Sequence, residues 1–139
     1  MAYAIVRYPA RGHAYAFQAL ANVKKSFNNF ELHIIGDGAL KGDLELLSNE
    51  LGIQENTFFH GTINHRELPR LLANYHISLT PSARTDSGYD ESFCISLIEA
   101  SVMGLYCMAS DAGGPSEILQ DKQELMYPQK DVNALTIKI

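Results

Sequence analysis

The chain has 139 residues, 16 acidic side chains against 11 basic ones, a formal charge of −5, 46% hydrophobic residues and 19% charged ones. It is too apolar for a disordered chain and long enough for one domain with its own core. The acidic balance excludes a general binder of phosphate backbones, so nucleic acid is not an expected partner and any anionic ligand must be met by local donors. The two cysteines, Cys94 and Cys107, are too few for a disulfide framework or a zinc site. They stand in apolar stretches and read as buried free thiols. Arg7 and Arg11 interrupt what would have to be a signal-peptide core, and no apolar run approaches the roughly 18 residues of a membrane span, so a cytoplasmic protein is expected.

In chain order, residues 3–6 (Tyr-Ala-Ile-Val) predict a first strand, and Phe17, Leu20, Val23 and Phe27 recur at helical spacing. Residues 31–35 predict a second strand closed by Gly36, Asp37 and Gly38. Leu40, Leu44, Leu47 and Leu51 share one helix face, with Gly52 as the stop. A short strand over 57–59 follows. Asn64 and Glu67 resemble a capping box opening a helix through Tyr75, with Pro69 in its first turn. Residues 77–79 predict a strand, 81–90 a polar loop, 93–103 a helix stopped by Gly104, and 105–109 another strand. Gly113, Gly114 and Pro115 open a short helix through Leu119. Asp131 is placed to cap a helix over 132–139, two turns that are marginal unless docked, so the domain is expected to be cut short in its last helix.

Strands alternating with helices predict right-handed βαβ units, hence one α/β domain with a Rossmann-like, doubly wound parallel sheet. Ligands of such sheets bind beyond the carboxyl ends of the strands. That puts residues 7–12, 36–38, 60–63 and 81–93 on one rim. Glu91 and Glu99 stand at the head of the predicted helix, about 12 Å apart along its axis if both are helical, at about 1.5 Å per residue. They are too far apart to share a proton but suited to gripping two polyhydroxyl groups. Between them, the amides near Phe93, Cys94 and Ile95 suit a phosphate. The plainer alternative is a pair of solvated helix glutamates. Arg7, Arg11 and Gly12 follow the first strand and suit a diphosphate, or are ordinary surface residues. Gly36 and Gly38 allow a tight turn with close backbone approach, without making a dinucleotide fingerprint. The five histidines, at 13, 33, 60, 65 and 76, show no metal spacing, so no metal or cofactor is expected. No nucleophile elbow occurs.

An ordered series of blocks spans the chain: residues 32–38 (Leu-His-Ile-Ile-Gly-Asp-Gly), 51–53, 59–61, 67–69, Pro81-Ser82, Glu91 to Ala100, Gly104, 110–114 and Glu117-Ile118. On these residues the chain resembles the C-terminal, donor-binding domain of GT-B fold retaining glycosyltransferases, glycosyltransferase family 4 (glycosyl transferases group 1). The resemblance implies the donor half of an enzyme that moves a sugar from a nucleotide-diphosphate sugar to an acceptor hydroxyl, without a metal. It implies Arg7 and Arg11 on the diphosphate, Glu91 on the transferred sugar and Glu99 on the ribose. The amides of Phe93, Cys94 and Ile95 would meet sugar and phosphate, and the nucleobase would lie near Gly61, Thr62 and Ile63. The family's usual Glu-Gly-Phe-Gly is Glu91-Ser92-Phe93-Cys94 here, and its basic residues after the first strand are more widely spaced than Arg7 and Arg11.

The resemblance further implies that the acceptor-binding N-terminal domain is absent. An acceptor glycan, lipid or small molecule, and any peripheral membrane contact, would engage that missing half. The isolated chain is then expected to bind donor with little transfer. Two other readings stand beside this one. The first is a non-catalytic nucleotide or nucleotide-sugar binding module, or a subunit of a split enzyme. The second is a flavodoxin-like regulatory domain with Asp37 or Asp111 as phospho-acceptor, which lacks the accompanying acidic pair and lysine.

Overall fold

The computed structural model describes residues 2–5, 12–88 and 93–139. Its strands are β1 (Ala2–Ile5), β2 (Glu31–Ile35), β3 (Thr57–Gly61), β4 (Ile77–Thr80), β5 (Tyr106–Ser110) and β6 (Met126–Tyr127). Its helices are α1 (His13–Lys24), α2 (Lys41–Glu50), α3 (Leu68–Leu72), α4 (Ile95–Val102), α5 (Gly114–Ile118) and α6 (Val132–Lys138). The strands pair in parallel in the order β3-β2-β1-β4-β5-β6. This is the doubly wound α/β sheet expected, and its order reverses between β1 and β4, where such folds open a ligand crevice.

Alternation along the strands builds two cores, because successive side chains point to opposite faces. Leu32 and Ile34 of β2 pack on one face with Phe17 and Leu20 of α1, Leu44 of α2 and Leu135 of α6. Ile35 packs on the other face with Cys107 and Ala109 of β5, Leu68 and Leu72 of α3, and Leu97 of α4. Each large side chain so buried stabilises the fold by about 1.5–3 kcal/mol. Both cysteines are free and buried, as expected, and burial pushes the Cys107 thiol up to about 11.

The two predicted glycine stops are Schellman motifs. After α2, Gly52 N–H bonds Asn49 O and Ile53 N–H bonds Ser48 O; after α4, Gly104 N–H bonds Ser101 O and Leu105 N–H bonds Ala100 O. Both glycines take positive φ, 69° and 80°, the conformation this motif demands.

Several boundaries differ from expectation; most strand ends shift by one or two residues, and the larger differences each have a physical reason. The helix after β1 ends at Lys24, leaving Phe27 beyond it and 42% exposed. The expected capping box is a turn: Asn64 Oδ1 accepts from Arg66 N–H at 3.0 Å, and α3 proper runs only Leu68–Leu72, with Pro69 in its first turn. α4 starts at Ile95 rather than Phe93, so the helical rise does not reach Phe93 or Cys94. β6, two residues long, carries too little pattern to predict. The Asp131 cap is present, accepting from Ala134 N–H at 2.8 Å, and α6 packs against α1 with Leu135 fully buried. Docking is what sustains a seven-residue helix. Among the described residues, no helix is long and apolar enough to cross a membrane.

Candidate functional site

The rim beyond the strand ends gathers most of the described residues singled out in the sequence. Gly12 caps α1 and lies against the end of β4. A Cβ built on it would sit 1.5 Å from the Pro81 carbonyl oxygen. Only glycine permits this approach, which joins the first βα turn to the loop after β4 across the switch point. Gly36 and Gly61, at the ends of β2 and β3, meet directly: Gly36 N–H donates to Gly61 O at 2.8 Å. Gly38 turns the chain into α2, its N–H on Asp37 Oδ1 at 2.9 Å and its carbonyl accepting from Lys41 N–H at 3.1 Å. Gly36, Asp37 and Gly38 line a narrow crevice with His13 and Lys41.

The second group lies where β3 gives way to α3 and where α4 begins. Thr62 is exposed in the bend after β3, and Ile63 packs onto the α3–α4 core. Phe93 is 64% exposed before α4, whereas the Cys94 side chain is buried, with its thiol 3.3 Å from Ser96 Oγ. Cys94 is the N-cap of α4 and offers no side-chain cap to the first turn. The opening amides of a helix lack intrahelical acceptors and favour anionic oxygen, so this end remains suited to a phosphate. Ile95, the first helical residue, is 52% exposed.

Glu99 follows one turn into α4, and its carboxylate meets the β3–α3 turn: His65 Nδ1 lies 3.5 Å from Glu99 Oε1. The Glu99 side chain is largely shielded while His65 is exposed. His65 and Glu99 also border an apolar cleft between α3 and α4, lined by Leu68, Pro69, Leu72 and Met103. A carboxylate on the edge of such a cleft can accept two hydrogen bonds from a vicinal diol. His65 is the residue that sequence spacing missed. Only the fold brings it to Glu99, and no local pattern marks it. Thr80, the last residue of β4, buries its Oγ1 without a hydrogen-bond partner among the described residues.

Arg7, Arg11 and Glu91 lie outside the described residues. The described part of the site is therefore the β3–α3 turn and the start of α4, with Gly12 marking where the first βα turn enters. Among the described residues no group of three or more metal-ligating side chains is present.

The model of the family described as "Glycosyl transferases group 1" matches residues 3–139. Protein CapJ of Staphylococcus aureus is 29% identical over 127 residues, 91% of this chain and 30% of that protein. The 2-deoxystreptamine glucosyltransferase of Streptomyces kanamyceticus is 27% identical over 104 residues, 75% of this chain and 25% of that protein. The chain thus spans less than a third of the length of these curated relatives. Among solved structures, the C-terminal domain of a glycosyl transferase group 1 family protein (LpcC) from Francisella tularensis superposes with a TM-score of 0.77 at 21% identity, covering 99% of this chain and 71% of that one. The fold is thus the Rossmann-like one of glycosyltransferase domains, and the family match runs through every strand and helix that builds the rim. The chain belongs to the glycosyl transferases group 1 family.

Proposed function

We propose that the chain is the donor-binding half of a retaining glycosyltransferase, which moves a sugar from a nucleotide-diphosphate sugar to an acceptor hydroxyl. The observation that carries this is the placement of Glu99, which sits one turn into α4 with its carboxylate within reach of His65 in the turn that follows β3. Glu99 takes the ribose hydroxyls, and the backbone at 61–63 flanks the base. The amides of Phe93, Cys94 and Ile95 meet the diphosphate and sugar. Arg7 and Arg11 are assigned to the diphosphate and Glu91 to the transferred sugar.

In this arrangement the protein's main contribution is electrostatic. Guanidinium groups and helix amides neutralise the leaving diphosphate as the glycosidic bond opens toward an oxocarbenium-like state, and positioning supplies the rest. These groups meet the diphosphate without a metal ion, so chelator is expected to leave donor binding unchanged. The acceptor is held outside these residues, so the chain alone binds donor and transfers little. The same reading puts it in the cytoplasm.

Calorimetric titration with uridine, guanosine and adenosine diphosphates tests the assignment. One of the three is expected to bind. Glu99→Ala and Arg11→Ala should each weaken it at least about tenfold, the order of a charged hydrogen bond. Unchanged affinity in both variants would overturn the site.

A further inference from the structure

Two histidines of β2 and β3 form a cluster that the donor assignment leaves unused. His33 Nδ1 lies 2.8 Å from His60 Nε2, and the ring centroids are 5.1 Å apart, so the rings meet edge to edge. On its other side His33 Nε2 reaches Glu31 Oε2 at 3.1 Å. The Tyr75 ring packs on His33 at 4.6 Å between centroids, and its hydroxyl stands 3.4 Å from His60 Nε2.

The cluster lies directly below the rim. His60 is the residue before Gly61, and Ile34 and Ile35 separate His33 from Gly36. Gly36 N–H in turn donates to Gly61 O at 2.8 Å. The ring contact and the glycine bridge are therefore successive ties between the same two strand ends. Among the described residues, the titratable groups at the contact are Glu31 and His33 from β2, His60 from β3, and Tyr75 from the turn after α3. β1 sets Ala4 opposite His33 and brings no charge. His76, beside Tyr75, and Arg70 of α3 are exposed.

A single hydrogen fits between the facing nitrogens, because one ring must donate and the other accept. With both rings charged, each facing nitrogen carries a hydrogen, the acceptor is lost and like charges meet. Burial, and then His33, hold His60 below its usual value, as expected where the surroundings resist its charged form.

We propose that the His33–His60 contact is a proton-sensitive latch, which holds the ends of β2 and β3 together in the form that takes the donor nucleotide. Its ligand rests on the donor reading; the latch itself does not. Protons favour the open form and nucleotide the latched one. Affinity is therefore full at neutral pH, where His60 is neutral, and falls as pH drops through the folded value.

Uridine, guanosine and adenosine diphosphate sugars are the probes, because they lack the terminal phosphate proton that titrates near about pH 6. The calorimetric Kd should rise at least about fivefold from about pH 7.5 to 5, the low end of ordinary coupling between sites. His60→Gln and His33→Gln keep an uncharged hydrogen-bonding side chain, so each should hold the neutral-pH affinity and flatten that rise. Heats in buffers of different ionisation enthalpy should show protons released on binding to wild type, and fewer in both variants. His65 and Glu99 are the same in all three proteins, so any titration of that pair is common to them. Without nucleotide, the amide resonances of Gly36 and Gly61 should titrate together with the His60 ring. An equal loss of affinity in wild type and both variants would overturn the latch, as would Gly36 and Gly61 amides that do not follow His60. If no sugar nucleotide binds at any pH, the donor reading falls, while the amide titration supports or overturns the latch by itself.

Discussion

A methyl group at position 12 has nowhere to go, because it would meet the Pro81 carbonyl oxygen at 1.5 Å. Gly12→Ala therefore has to push the first βα turn away from β4, at about 1–3 kcal/mol, with loss of nucleoside diphosphate binding if the turn carries Arg11 to the ligand. Urea unfolding checks the first part, and stability equal to wild type would contradict it. A second residue-scale feature lies on β2 and β3. His33 Nε2 lies 3.1 Å from Glu31, His33 Nδ1 lies 2.8 Å from His60 Nε2, and the Tyr75 hydroxyl stands 3.4 Å from the same His60 nitrogen. Neutral rings satisfy this chain, with His33 donating to Glu31 and accepting from His60. Burial, and then His33, hold His60 below its usual 6.5. The unfolded chain binds the extra proton first, so stability is full at neutral pH and falls as pH drops below about 6.5 toward the folded value. Thermal unfolding from about pH 7.5 to 5 should show this decline, and His60→Gln should flatten it; an equal decline in the variant would assign it elsewhere. Neither feature is legible in the sequence. Gly12 reads there only as permissive, and the histidines only as scattered, because each depends on an atom brought from a distant part of the chain.

At the scale of elements, local chemistry carries most of what the sequence makes legible. The stops at Gly52 and Gly104 follow from one residue type at one offset, and the Asp131 cap does too. Where expectation and structure part, the reason is tertiary. Leu68 and Leu72 are buried, but the preceding residues 64–67 satisfy one another in a turn and leave α3 a single short helix. β6 exists because Ala109 and Ser110 of β5 offer it an edge to pair with, not because Met126 and Tyr127 show a pattern. α6 gives a quantitative check. Asp131→Ala removes one cap, about 1 kcal/mol or roughly 3–5 °C in Tm. Leu135→Ala empties a fully buried position between α6 and α1, at about 2–5 kcal/mol. If the two cost the same, α6 is held by its cap rather than by docking.

At the scale of the molecule, the parallel sheet does one thing for function: it brings loops far apart in sequence to one edge. The alternation of strands and helices is enough to predict that edge, since ligands of such sheets bind beyond the carboxyl ends of the strands. It does not show that Glu99 would face His65 across the α3–α4 cleft, nor that His33 would meet His60, because these pairs join separate βα units. On the proposed reading, an acidic protein that takes an anionic donor must concentrate its positive potential at such an edge. The most direct test of the whole account is a crystal structure of the chain with bound uridine or guanosine diphosphate. The ribose hydroxyls should lie about 3 Å from the Glu99 carboxylate, with the base along Gly61, Thr62 and Ile63 and the diphosphate over the amides that open α4. A nucleotide seated anywhere else, with Glu99 still facing only His65, would contradict it.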